Sequence, residues 1–165
     1  MRRTIRVLSN DRNTSETLVA FRREERRVNA VTLSREIDAP PQAVREAMDR
    51  VDRFMRASGF DDVTVDGEEV RVANEVGIAT VELALELVDR PDADLAYEQR
   101  DGIFEAMRTA YVVTPAPDGT EVEATTEFAL GVAVVGGVLD STVIERQRRR
   151  ELAAQLDWLE AVCGD

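Results

Sequence analysis

Hydrophobic and polar positions alternate with a period of two through most of the chain and switch to a helical period near its end. The clearest case is the stretch on either side of Ala116-Pro117-Asp118-Gly119. Proline and glycine there supply the turn chemistry of a hairpin between Ala106–Thr114 and Thr120–Leu130. Setting Pro115 opposite Thr120 puts Val113 by Val122, Tyr111 by Ala124, Thr109 by Thr126 and Met107 by Phe128, all on one face. The other face then carries Val112 with Glu123, Ala110 with Thr125 and Arg108 with Glu127, a solvated surface with one opposite-charge pair. After the hairpin, Leu152, Leu156, Leu159 and Cys163 fall at helical spacing, which predicts a long closing helix laid on the inner face of the sheet.

The earlier chain follows the same logic. Val31, Leu33, Arg35 and Ile37 alternate with polar residues and predict a first strand ending at Asp38. Pro40-Pro41 then opens a helix, since a proline in the first turn loses only an N–H that has no helical partner. Val44, Ala47, Met48, Val51, Phe54 and Met55 predict two short helices that end at Ser58-Gly59. Strands follow over Asp62–Asp66, Glu69–Ala73 and Ile78–Val88, and the last carries Val81, Leu83, Leu85 and Leu87 on one face. The strand Leu95–Gln99 connects to Ile103 by one of two turns. A two-residue Asp101-Gly102 turn sets Glu98 against Glu105, a like-charge pairing; a three-residue turn sets Leu95 by Met107 and Tyr97 by Glu105, and is preferred.

Charge divides the chain unevenly. Residues 1–27 hold eight arginines and four acids, whereas the remainder holds 13 arginines and 29 acids. A basic N-terminal arm, or an extension from a misassigned start, over 1–27 and a single domain over 28–165 is the expected organisation. The overall charge of −12 argues against nucleic acid and anionic membrane surfaces as partners. No apolar run reaches the roughly 20 residues of a membrane span, and Met1-Arg2-Arg3-Thr4-Ile5 lacks the apolar core of a signal peptide. The expected location is the cytoplasm. All 21 basic residues are arginine, and with the acid excess this resembles the composition of salt-rich cytoplasms such as those of halophilic archaea.

Composition also excludes chemistry. Without lysine there is no lysine Schiff base, and without histidine there is no Ser-His-Asp triad and no imidazole metal ligand. Cys163 has no second cysteine to pair with. Gly131, Gly136 and Gly137 precede no P-loop lysine and miss the dinucleotide spacing, so no cofactor is expected. The arginines at 146, 148, 149 and 150 read as a solvated face with long stems over the sheet rim; the alternative is a ligand-facing Arg146 or Arg150.

The order of one strand, two short helices, six strands and a long helix resembles the helix-grip fold of the START-related (SRPBCC) superfamily, an α+β architecture. Within it the chain is similar to the polyketide cyclase/dehydrase and lipid-transport group. The resemblance is carried by Ile37-Asp38-Ala39-Pro40-Pro41 with Val44, by Val51–Val65 with Phe54 and Phe60, by the Thr114–Val122 hairpin and by the last helix, and it covers about Val28 to Cys163. Arg45 departs from it, because members often carry an aromatic residue after that valine. The resemblance implies a cavity between a curved sheet and the helix for a hydrophobic small molecule such as a lipid, isoprenoid or quinone. Apolar walls are expected from Phe54, Leu83, Leu85, Met107, Phe128, Leu139 and Val143, together with Tyr97 and Tyr111. Thr109, Thr126 and Arg146 are the expected polar contacts; Glu105 is either a carboxylate on the apolar inner face, where burial would raise its pKa, or a solvated residue at the sheet rim. Three functions remain open: a carrier of such a molecule, a cyclase or dehydratase using Glu105 with Tyr97 or Tyr111, and an adaptor that presents a surface to another protein.

Overall fold

The computed structural model describes residues 28–131 and 140–164; the N-terminal arm and Leu139 lie outside the described residues. Seven antiparallel strands form one sheet in the order β1-β7-β6-β5-β4-β3-β2. In chain order they are β1 (Asn29–Ile37), β2 (Asp62–Asp66), β3 (Glu69–Val76), β4 (Ala79–Leu87), β5 (Leu95–Asp101), β6 (Phe104–Ala116) and β7 (Gly119–Leu130). Helices α1 (Pro41–Met48) and α2 (Val51–Arg56) follow β1, and α3 (Ser141–Cys163) closes the chain. This is the helix-grip α+β fold.

The β6–β7 hairpin pairs Pro115 with Thr120, Val113 with Val122, Tyr111 with Ala124, Thr109 with Thr126 and Met107 with Phe128. These inner positions are buried apart from Pro115, and Arg108 meets Glu127 outside at 2.7 Å. The hairpin tip sits close against the end of β1. A Cβ at Gly119 would lie 2.2 Å from the Ile37 carbonyl oxygen, and the Thr120 hydroxyl donates to the Ala39 carbonyl at 2.6 Å. Only a residue without a side chain fits this crossing. Helix α1 starts on Pro41 as expected, and buries Val44, Ala47 and Met48. Arg45, where an aromatic was expected from the family, bonds Asp94 at 2.7 Å and so ties α1 to the loop before β5.

The β5–β6 connection differs from the preferred turn. Leu95 pairs with Tyr111 and Tyr97 with Thr109, so the register is four residues away from that placing Tyr97 by Glu105. An even shift keeps Leu95, Tyr97, Thr109 and Tyr111 on the inner face. The wider loop is held by the Gln99 side chain, whose amide donates to the Phe104 carbonyl at 2.9 Å and accepts from the Phe104 N–H at 3.2 Å. Gln99 thereby takes the place of a backbone partner. Glu105 falls at a bulge in the β6–β7 ladder and is exposed, on neither the inner face nor the cavity wall.

Helix α3 starts at Asp140, whose carboxylate accepts from the Val143 N–H at 2.9 Å. Its buried line runs Ile144, Arg148, Glu151, Leu152, Gln155, Leu156 and Leu159. The helix rests on β1 and β7 and on α1 and α2, and its three buried leucines contribute about 1.5–3 kcal/mol each. Arg35 of β1 clamps the outer side of the helix through Asp157 at 2.7 Å and Glu160 at 3.0 Å.

Candidate functional site

The inner face of a sheet this curved is apolar except where a polar side chain is paid for by partners, and two such groups meet α3. The first is Tyr97, Tyr111 and Gln155. Tyr111 donates to the Gln155 carbonyl oxygen at 2.5 Å, and the Gln155 amide donates to the Phe54 carbonyl at 3.2 Å. The Tyr97 and Tyr111 hydroxyls lie 3.4 Å apart. Since the Tyr111 proton is committed to Gln155, Tyr97 is the donor in that contact. Phe54 packs edge-on against Tyr111 at 5.0 Å between ring centres. Burial, reinforced by Tyr97, pushes the Tyr111 phenol well above its usual range.

The second group surrounds Arg148, which is 4 % exposed although it was expected on a solvated arginine face. Its Nη1 forms an ion pair with Glu151 one turn on, and its Nη2 donates to the Thr109 and Thr126 hydroxyls at 3.0 Å each. Glu151, equally buried, also accepts from the Asn74 amide at 3.3 Å and the Gln147 amide at 3.1 Å. Burial alone would lower the Arg148 pKa, but the Glu151 carboxylate, with Tyr97 and Tyr111, leaves it raised. The guanidinium therefore stays charged, in a neutral pair. Arg146, Arg149 and Arg150 are the solvated members of the run.

A cleft opens beside this pair, between β3, β4 and the first turns of α3. Its apolar walls include Phe60, Val72, Val76, Val81, Leu83, Phe104 and Ile144, and Asn74, Gln147, Arg148 and Glu151 form one polar end. It holds about 340 Å³ of empty space counted out into its mouth, but only about 20 Å³ where the centre of a water molecule fits. That is room for one or two waters before any side chain moves.

Of the residues singled out in the sequence, Leu83 lines this cleft and Thr109 and Thr126 hold its arginine. Phe54, Leu85, Tyr97, Met107, Tyr111 and Phe128 are buried in the core nearby, and Val143 is half-buried against it. Arg146 and Glu105 are exposed. Sequence reasoning missed Asn74, Gln147, Arg148 and Glu151. The signal was present in the helical spacing of 144, 148, 151, 155 and 159, which carries the leucine stripe backwards through polar residues. Among the described residues no three His, Cys, Asp or Glu side chains come together as a metal ion would require. No helix among them is long and apolar enough to cross a membrane.

A seven-stranded sheet gripping a C-terminal helix, with a polar-ended cleft between them, defines a START-like protein. The sequence signature of the polyketide cyclase / dehydrase and lipid transport family matches residues 29–164, and the chain belongs to that family. No curated protein sequence matches the chain significantly. Among solved structures it is similar to TTHA0849 from Thermus thermophilus, at 18% identity and TM-score 0.62 over 81% of this chain and 99% of that one. It is likewise similar to a START superfamily protein from Mycobacterium smegmatis, at 10% identity and TM-score 0.63 over 81% and 96%. The Zhui aromatase/cyclase from Streptomyces sp. R1128 gives 18% identity and TM-score 0.62 over 81% and 94%.

Proposed function

We propose that this protein binds a small hydrophobic molecule with one polar end, in the cleft between β3, β4 and the first half of α3. The observation that carries the reading is the division of the cleft wall into an apolar majority and a single polar end, built from Asn74, Gln147, Arg148 and Glu151. Ligand sites have this composition, because apolar walls supply affinity and a few fixed polar groups supply orientation. The small enclosed volume means that the occupant must part the walls on entry, with Phe60 and Gln147 as the half-buried members of the lining. Family membership supports the same reading. The test is organic extraction and mass spectrometry of protein purified gently from its native host. A stoichiometric apolar compound that also raises the melting temperature of the emptied protein supports binding, with a gain of about 2.7 kcal/mol at a hundredfold excess over Kd.

The small volume also favours a second reading, an adaptor whose filled core presents its surface to another protein. An empty extract, together with no thermal shift from any hydrophobic probe, moves the weight to that reading. A cyclase or dehydratase built on Glu105 with Tyr97 or Tyr111 draws less support. The two phenols are buried side by side, whereas Glu105 is exposed at the β6 bulge.

A further inference from the structure

The buried ion pair has one unmet requirement. Among the described residues, the Arg148 Nε–H is the buried side-chain polar group with no hydrogen-bond partner. The other side-chain nitrogens and oxygens of the pair each have a partner, and the Tyr97 hydroxyl lies beside the guanidinium without serving Nε. Glu151 takes three donors, from Arg148, Asn74 and Gln147, and the Arg148 Nη2 serves both threonines. A buried donor left without an acceptor is costly, and this one belongs to a residue that lines the cleft. Resting on the ligand-binding reading above, we infer that the polar end of the ligand is a neutral hydrogen-bond acceptor, a ketone, quinone or ester carbonyl, seated at Arg148 Nε, and that the site rejects carboxylates.

The acceptor part follows from which group is unmet. The missing partner is an acceptor for an N–H, and a carbonyl oxygen supplies one without bringing a donor that would need a partner of its own. The neutral part follows from charge. Arg148 is already balanced by Glu151 within the same cleft end. A fatty-acid or aromatic carboxylate would place a second buried anion beside Glu151 with no further cation among the lining residues. Arg146, Arg149 and Arg150 are exposed and absent from the lining, so they do not supply that cation. A pure hydrocarbon would fill the apolar walls and still leave the Nε–H unpaired.

The test is a matched series on the intact wild-type chain, read by calorimetry and thermal shift: acetophenone, benzoate and ethylbenzene, then the naphthyl counterparts of each. The ketone of a set is expected to bind about tenfold or more tighter than the acid, and several-fold tighter than the hydrocarbon, a tenfold ratio being 1.4 kcal/mol. A hydrocarbon or acid that binds as tightly as its ketone overturns the inference and leaves the binding reading intact. Failure of every probe in both sets removes the binding reading, and the inference with it. Glu151→Gln supplies an independent readout. It keeps the shape and leaves Arg148 unbalanced, so the ratio of acid to ketone affinity is expected to rise about tenfold. An unchanged preference in a folded Glu151→Gln protein overturns the charge argument. Should that variant not fold, the wild-type series still decides.

Discussion

Replacing Arg148 with methionine is expected to cost this protein a large part of its stability. Methionine fills much of the space of the arginine stem, so packing is largely kept. What is lost is the cation beside Glu151, a carboxylate on a residue only 4 % exposed that would keep only the Asn74 and Gln147 amides. Removing one partner of a buried ion pair costs about 3–5 kcal/mol. For a chain of 165 residues that is a fall of roughly 6–20 °C in Tm, at about 2–4 °C per kcal/mol. The double change Arg148→Met with Glu151→Leu removes the stranded charge. Thr109 and Thr126 still bond each other at 2.9 Å, and only Asn74 loses a partner that matters. The double variant should therefore regain about 2 kcal/mol or more over the single. Urea unfolding followed by the fluorescence of Trp158, the lone tryptophan, gives both numbers, since its ring sits 6.2 Å from Phe54 in the core. A single variant within about 1 kcal/mol of wild type refutes the reasoning, as does a double variant no more stable than the single.

Tyr111→Phe should destabilise by about 1–2 kcal/mol in the same urea assay, because the Gln155 carbonyl loses its buried donor. Tyr111 also sets an alkaline limit. Its pKa is higher folded than unfolded through burial, so the stability it contributes is whole below the ordinary tyrosine range near 10 and falls as pH rises through the raised folded value. Melts across that interval should show a steep loss that Tyr111→Phe flattens; identical slopes would remove Tyr111 as the cause. Gly119→Ala should lower Tm well beyond an ordinary surface change, since its Cβ would meet the Ile37 carbonyl at 2.2 Å. Arg35→Ala, by contrast, breaks two exposed ion pairs with α3 and should cost no more than about 1 kcal/mol, vanishing in molar salt.

Much of the fold was legible because local rules and global packing agree in this chain. The hairpin register could be read from one constraint, that Tyr111, Met107 and Phe128 share a face while Arg108 and Glu127 share the other. Pro41 announced α1 and the leucines announced α3. The β5–β6 register was not legible, because turn rules assume that backbone groups close the loop. Here the Gln99 side chain closes it instead, and nothing in a local window distinguishes a glutamine that bridges from one that is solvated. The strand β3 was likewise cut short at Ala73, since Asn74 has poor strand propensity and its reason for being there, the Glu151 carboxylate, lies 77 residues away.

The candidate site was illegible for the same reason, carried further. Composition counts an arginine as a surface residue, and Arg146, Arg149 and Arg150 obey that rule. Arg148 breaks it because four elements converge on one guanidinium: Thr109 from β6, Thr126 from β7, Glu151 from its own helix and, through Glu151, Asn74 from β3. The threonines were identified as polar points on the inner face, and the leucine stripe fixed the phase of α3. Running that phase back from Leu159 through Gln155, Glu151 and Arg148 to Ile144 places all three polar residues over the sheet. A polar residue in phase with a buried stripe is thus a stronger indicator of a site than a polar residue in a charged run. The arginine to test first for ligand contact is therefore Arg148, the member of its cluster that the helix turns inward.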